Sequence, residues 1–144
     1  MLVDPIDAPE ERTADDLRRE YAEALADVVR SVGVETAAAE SAVARETLER
    51  LADGDTPEMT LQDACEILAL SEDWSDPDAV RLEVRDYLML GMSSAVLDVD
   101  ALERLLDGGL TAKEIQAKLE GRQPMSLAEY ASVALAIERE KDFT

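Results

Sequence analysis

The sequence contains no histidine and only one cysteine, Cys65. Without histidine the chain lacks the commonest general base and the commonest metal ligand, and a single cysteine excludes an internal disulfide. Cys65 falls in the apolar phase of a helical pattern, so we interpret it as a core residue rather than a nucleophile. No serine or cysteine has a basic partner to activate it, and no glycine-rich phosphate loop follows a strand. The sequence therefore predicts a protein that is not an enzyme and has no cofactor and no metal site.

Aromatic side chains are scarce, at 3% of the residues, and there are three lysines against eleven arginines. The hydrophobic residues make up 47% of the chain and are largely Ala, Leu and Val, which favours closely packed helices. Thirty-four acidic residues against 14 basic ones give a net charge of −20, spread along the chain. Because the acidic residues alternate with regularly spaced apolar positions, we expect a folded chain rather than a disordered one.

No stretch of the sequence is long enough to span a membrane. The longest apolar segment, YLMLGMSSAVL at 87–97, falls well short of the roughly 20 residues that a spanning helix requires. The amino terminus is acidic and contains Pro5 and Pro9, which is unlike a signal peptide. We expect a cytoplasmic protein with no membrane partner.

Hydrophobic residues recur at three- and four-residue intervals, and no segment alternates with period two over more than a few residues. This pattern predicts an all-α fold of about eight helices. Helix starts are marked by pairs such as Thr13 and Asp16, and helix ends by glycines such as Gly33. We predict helices at residues 14–32, 35–41, 44–53, 60–70, 78–96, 99–107, 111–120 and 126–140.

Two segments of the sequence, 51–70 and 119–137, repeat one pattern. Both have leucine, glycine, a turn with proline, methionine, a hydroxyl cap, leucine and then an acid at the third helical position. The repeat predicts two tandem helical modules packed as one unit. The predicted segments are a loose acidic arm at 1–12, a first module at 13–72 and a second module at 78–141.

Each copy resembles the five-helix DNA-binding domain of the lambda-repressor/Cro type, in which a helix-turn-helix pair precedes a short turn and a packing helix. The matching segments are AAAESAVARETLERLADGDTPEMTLQDACEILALSED and VDALERLLDGGLTAKEIQAKLEGRQPMSLAEYASVALAI. The whole chain is also similar to a family of short acidic haloarchaeal proteins with no assigned function, through VGVETAA, ARETLERLADG and LMLGMSSAVLDVD. That second resemblance implies a lineage adapted to molar salt, and no activity.

The resemblance to the repressor domains implies that the third helix of each module enters the major groove of DNA. The stretch 110–122 carries three basic residues against two acidic ones and is the only basic island in the chain. We therefore predict a regulator that contacts DNA mainly through the second module. The candidate contact residues are Thr111, Lys113, Gln116, Lys118 and Arg122, with Arg45 and Arg50 in the first module.

The sequence leaves alternatives open for these features. As an alternative to DNA contact, the basic residues of 111–122 form a solvent-exposed helix surface with ion pairs such as Glu114 with Lys118. The chain is alternatively a non-catalytic protein–protein interaction module that kept the helix-turn-helix fold without binding DNA, because −20 repels a polyanion. The apolar helix at 78–96 is expected to be a buried spine between the modules, with a homodimer interface as the alternative.

Overall fold

The computed structural model describes residues 2–74 and 76–141, and within them the chain forms eight α-helices and no strand. A short 3-10 helix, Pro9–Glu11, precedes the first α-helix. The helices are α1 (Ala14–Val32), α2 (Val34–Glu40), α3 (Arg45–Ala52), α4 (Leu61–Leu68), α5 (Pro77–Ala95), α6 (Val99–Leu105), α7 (Ala112–Leu119) and α8 (Leu127–Lys141). The predicted all-α fold is confirmed, and the predicted helix boundaries agree with these to within two residues.

Reciprocal side-chain caps determine where four of the helices begin. The hydroxyls of Thr13, Thr60 and Thr111 each accept a hydrogen bond from the backbone N–H of the residue three positions later. That residue is an aspartate or a glutamate, and its carboxylate accepts a hydrogen bond from the backbone N–H of the threonine. Ser126 and Glu129 form the same pair at the start of α8. Each pair satisfies two backbone N–H groups: that of the capping residue, and one in the first turn, where N–H groups have no carbonyl partner within the helix.

The two turns of the repeated pattern lie side by side. The Leu61 N–H donates to the Met125 carbonyl at 2.8 Å, and the Leu127 N–H donates to the Met59 carbonyl at 2.9 Å. This isolated antiparallel bridge is symmetric, because each turn donates one hydrogen bond and accepts one. It brings the first residues of α4 and α8 together. Whether the two halves are copies of a helix-turn-helix module stays a prediction.

All eight helices contribute buried side chains to the interior. Helix α1 packs on α3, α4 and α8, whereas α5 packs chiefly on α4 and α8. Helices α2 and α3 pack together in the first half, and α6 and α7 in the second. The buried side chains of both halves belong to one continuous, largely aliphatic cluster, in which the rings of Tyr21 and Tyr130 lie 5.8 Å apart.

The amino-terminal residues, expected to form a loose arm, pack against α8 instead. Leu2 is buried, and its carbonyl accepts a hydrogen bond from the Tyr130 hydroxyl. Arg139 donates to the carbonyls of Pro9, at 2.9 Å, and Arg12. These hydrogen bonds are made to backbone carbonyls, which every residue supplies, so the sequence pattern does not reveal them.

Only one face of α5 matches the expected buried spine. Val80, Val84 and Leu88 are buried on the inner face, while the outer face exposes several large apolar side chains. On the inner face α5 comes very close to α8 at Gly91, where an added Cβ would lie 2.8 Å from Ile137 Cγ2. The packing of α5 on α8 therefore requires glycine at this position.

In Gly91→Ala, overpacking against α8 should cost about 2–3 kcal/mol, the upper part of the usual range, because the added Cβ would lie only 2.8 Å from Ile137 Cγ2. Alanine is favoured over glycine in a helix interior by roughly 1 kcal/mol, so the free energy of unfolding should fall by about 1–2 kcal/mol net. Urea denaturation followed by circular dichroism measures the change. Ser94→Ala, at an exposed position of the same helix, is the matched control and should not destabilise. A Gly91→Ala variant as stable as the parent would contradict the close approach.

Candidate functional site

The predicted contact residues of α7 have different environments. The Thr111 hydroxyl is engaged as the helix cap, accepting from the Glu114 N–H at 3.1 Å. Gln116 is exposed and donates to the Glu120 carboxylate at 2.5 Å. Lys113 is exposed and forms no ion pair within the described residues. Lys113 is therefore the α7 cation that stays available to a ligand.

Lys118 is part of the scaffold rather than an exposed cation. Its side chain is 12% exposed, and its Nζ donates to Glu129 Oε1 and to the Pro124 carbonyl, both at 2.9 Å. The suggested pair of Glu114 with Lys118 is not formed, because the Glu114 carboxylate accepts from the Thr111 N–H. Lys118 thus ties the α7–α8 turn to the first turn of α8.

The two candidate residues of the first module are occupied by neighbouring carboxylates. Arg45 lies 2.9 Å from Glu49 and 3.2 Å from Glu35, and Arg50 lies 3.7 Å from Asp55. All five side chains are about half exposed or more, so these pairs contribute little to stability. Because carboxylates lie beside both arginines, the exposed surface of α3 is not positively charged.

Lys118 and Arg122 line a groove of about 470 Å³ that runs between α4, α5 and the α7–α8 turn. Arg81 and Arg85 of α5 line it as well. The groove has four basic side chains against two carboxylates, in a chain with 34 acidic and 14 basic residues. Basic side chains therefore outnumber acidic ones among the groove residues, whereas acidic residues outnumber basic ones in the chain as a whole.

The groove also has an apolar lining, in which Leu82 is exposed whereas Leu61, Leu88, Leu119 and Met125 are buried or nearly so. Cys65 lies fully buried beneath the groove, and burial raises the pKa of its thiol to about 11, so the thiol stays protonated at neutral pH. Apolar surface flanked by charged groups is typical of sites that bind the side chains of a partner.

Two of the groove's arginines, Arg81 and Arg122, are held by exposed ion pairs, unlike the part-buried Lys118. Arg122 Nε lies 2.8 Å from Glu120 Oε2, and Arg81 pairs with the carboxylate one turn earlier in α5. Hydrogen bonds from Gln116 and Arg122 lower the pKa of Glu120, and the charge of Arg85 adds to the shift. Exposed ion pairs contribute about 0–1 kcal/mol each. A ligand carboxylate can therefore replace an internal one at little cost.

Arg81 and Arg85 are absent from the predicted contact residues. Their four-residue spacing in RLEVR places them on one face of a helix, and this signal is present in the sequence. The sequence does not reveal that α5 faces the α7–α8 turn, because that contact joins elements far apart in the chain. Thr111, Lys113, Gln116, Arg45 and Arg50 are not among the described residues that line the groove.

Within the described residues the fold is all-α, and a groove lined by basic and apolar side chains lies between α4, α5 and the α7–α8 turn. No group of three or more His, Cys, Asp or Glu side chains in the described residues is placed to hold a metal ion. No helix within residues 2–74 and 76–141 is long and apolar enough to cross a membrane. The chain belongs to a family of unknown function, DUF5791, whose family model matches residues 17–140. No curated protein and no solved structure matches it.

Glu129 carries the hydrogen bonds that hold the groove's turn in place. Burial alone would raise the pKa of Glu129, but the Ser126 N–H and the Lys118 ammonium both donate to its carboxylate. Together these hydrogen bonds outweigh burial and lower the pKa below its ordinary value of 4.5. The charged form of Glu129 is therefore stabilised in the folded state.

Glu129→Gln should lower the free energy of unfolding at pH 7 by about 1–2 kcal/mol, because charge-assisted hydrogen bonds are lost. Since the folded-state pKa is depressed, this contribution is complete above pH 4.5 and is lost as the pH falls through the folded-state pKa. The free energies of unfolding of parent and variant, measured from denaturation curves, should therefore become equal as the pH falls through the folded-state pKa. Glu23→Gln, an exposed position on α1, is the control. A difference in free energy of unfolding between parent and Glu129→Gln that stays constant at acid pH would contradict a stabilising role for the charged Glu129 carboxylate.

Proposed function

We propose that the chain is a non-catalytic protein–protein interaction module that binds an acidic, apolar-containing segment of a partner in the groove. The observation that carries this proposal is the reversed charge balance beside an apolar lining. Three exposed arginines and Lys118, which is paired with Glu129, line the groove on a protein whose net charge is −20. An acidic segment meets basic side chains there, whereas most charged groups elsewhere in the chain are carboxylates.

The spacing of the arginines suggests the form of the bound segment. Arg81 and Arg85 lie one turn apart on α5, so their backbone positions are separated by about 6 Å along the helix. Each guanidinium can hold a carboxylate through two parallel hydrogen bonds. A bound helix with acids at positions i and i+4 presents carboxylates at the same spacing. Its apolar face would then cover the aliphatic lining of the groove.

A regulator that contacts DNA through a second helix-turn-helix module is the second candidate function. Lys113 favours it, because this lysine is exposed on α7 near Gln116 and forms no ion pair within the described residues. Against it, the acidic surface removes the long-range attraction that most DNA-binding proteins use. Thr111 and Lys118 already form hydrogen bonds within the chain. The groove therefore has more support than the α7 face.

We also propose that the protein acts in the cytoplasm of a salt-accumulating haloarchaeon. The support is its net charge of −20 with three lysines. In molar salt the screening length falls to about 3 Å, which suppresses repulsion between surface carboxylates. Close paired hydrogen bonds next to apolar surface remain effective under those conditions, whereas long-range attraction does not.

Selection from a random 16-residue peptide display library and from a random DNA duplex pool, both at about 2 M KCl, tests the two candidate functions together. We expect enriched peptides with apolar residues at helical spacing and acids four positions apart, and no enriched DNA. The double substitution of Arg81→Gln with Arg85→Gln should weaken binding of those peptides at least about tenfold, or 1.4 kcal/mol.

The matched control is Arg19→Gln with Arg104→Gln, which removes the same charge from exposed positions outside the groove. This control should bind the selected peptides with unchanged affinity. Enrichment of basic peptides, or equal losses in the two double variants, would refute the groove as the binding site. Enriched DNA whose binding depends on Lys113 would favour the regulator instead.

A further inference from the structure

Residues 2–12, which we name the strap, are held on the helices mainly through their own backbone. The Tyr130 hydroxyl donates to the Leu2 carbonyl, and Arg139 Nε donates to the Pro9 carbonyl at 2.9 Å. In both hydrogen bonds a side chain of α8 is the donor and the strap is the acceptor. Recognition of main-chain groups together with pockets for single side chains is typical of sites that bind extended segments.

Few side chains of the strap are buried. Only Leu2, at 1% exposure, and Pro9 are buried among residues 2–12. The four acidic side chains of the strap are all exposed, namely Asp4, Asp7, Glu10 and Glu11. A segment with so few buried apolar contacts is typical of those that open locally, without unfolding of the rest of the protein.

The middle of the strap does not fill the space against α1. A crevice of about 320 Å³ lies between residues 4–7 and α1, with Leu17 and Tyr21 on the α1 side. Ile6 lines it from the strap and is only partly buried. Because dispersion forces require close contact, an unfilled crevice contributes little to holding this part of the strap.

The docked strap contains a strained residue. Ala8 is in the left-handed conformation, with φ of 48°, directly before Pro9. A residue before proline favours an extended backbone, and a residue other than glycine is disfavoured at positive φ. Release of the strap would remove this strain. Strained backbone of this kind is found at ligand clamps and switch segments.

The helices beneath the strap have a polar link of their own. Glu138 is buried, at 7% exposure, and accepts from the Tyr87 hydroxyl at 2.7 Å, whereas the Asp4 carbonyl lies 3.3 Å from the same hydroxyl. A hydroxyl has one hydrogen to donate, and the closer, charged acceptor forms the stronger bond. Tyr87 therefore links α5 to α8 whether or not the strap is docked. Without the strap, the donors of Tyr130 and Arg139 can bond to water.

We propose that the strap is an internal ligand that can be displaced, and that the vacated site on α1, α5 and α8 binds an extended segment of a partner. That segment has an apolar residue in the position of Leu2 and a proline seven residues later, in the position of Pro9. While the strap is docked the site is closed. The partner's apparent affinity is therefore reduced in proportion to the fraction of open molecules.

This site does not depend on the proposed function of the groove. None of the described residues that line the groove belongs to the strap. Residues 2–12 include four acidic residues and one basic one, in a chain with a net charge of −20. Binding of such a segment through its carbonyls should strengthen as salt screens the repulsion, whereas capture of carboxylates by arginines in the groove should weaken.

A fluorescent peptide of residues 2–12, acetylated at its amino end, tests the proposal by anisotropy at about 2 M KCl. The full-length chain with Leu2→Glu should release its strap, because docking would bury a carboxylate. We expect the peptide to bind this variant at least about tenfold more tightly than the parent, whose own strap competes at a roughly millimolar effective concentration. Ala8→Glu adds the same charge at an exposed position of the strap. This matched control should behave like the parent.

Further substitutions in the Leu2→Glu chain test where the peptide binds. Tyr130→Phe should weaken binding by roughly threefold to tenfold, because the ring stays and the donor to the Leu2 carbonyl is lost. Tyr21→Phe makes the same change on a ring 5.8 Å away, whose hydroxyl donates no hydrogen bond to the described part of the strap, and should leave the affinity unchanged. Arg81→Gln with Arg85→Gln should also leave it unchanged.

Three results would overturn the proposal. Loss of the helical circular dichroism of the Leu2→Glu chain at about 2 M KCl would mean that the strap is an integral part of the fold. Equal affinity of the peptide for parent and Leu2→Glu, or binding to neither, would mean that the strap covers no binding site. Binding that falls when Arg81 and Arg85 are replaced would place the peptide in the groove, and would support the proposed function while refuting this inference.

Discussion

Two hydrogen bonds between turns set the arrangement on which the rest of the protein depends. They join Leu61 to Met125 and Leu127 to Met59, and each turn leads at once into a capped helix, α4 or α8. Because α4 and α8 start from this bridge, α5 can pack on both of them. The groove follows, since one side of it is the bridged α7–α8 turn and another is α5. An interface between two short loops therefore determines where the binding site lies.

The excess of acidic residues is partly used to build the helices. Asp16, Asp63, Glu114 and Glu129 all accept backbone hydrogen bonds in the first turn of a helix, where negative charge is favoured by the helix dipole. Other carboxylates pair with arginines on the surface. On the groove, Arg81 and Arg122 keep only exposed partners, whereas Lys118 is held by Glu129. The proposed docking site is thus distinguished by a local shortage of the acidic residues that cover the rest of the molecule.

Local features could be predicted from the sequence, and long-range contacts could not. Caps such as Thr60 with Asp63 and terminators such as Gly33 act within a few residues, so the helix boundaries were accurate to within two residues. Lys118 has the pattern of an exposed helical lysine, yet it bonds to Glu129 eleven residues away. The docking of Leu2 and the position of Arg85 likewise depend on contacts between distant parts of the chain. These contacts decide which candidate residues are available to a ligand, so the site was only partly predictable.

Amide hydrogen exchange at Leu61 and Leu127 tests the central claim most directly. If the turn pairing holds the two halves together, both amides should exchange as slowly as those in the middle of α4 and α8, through global opening. The Glu58 amide, in the same turn but without a hydrogen-bond partner among the described residues, should exchange fast. Exchange of Leu61 and Leu127 at the rate of Glu58 would contradict the account.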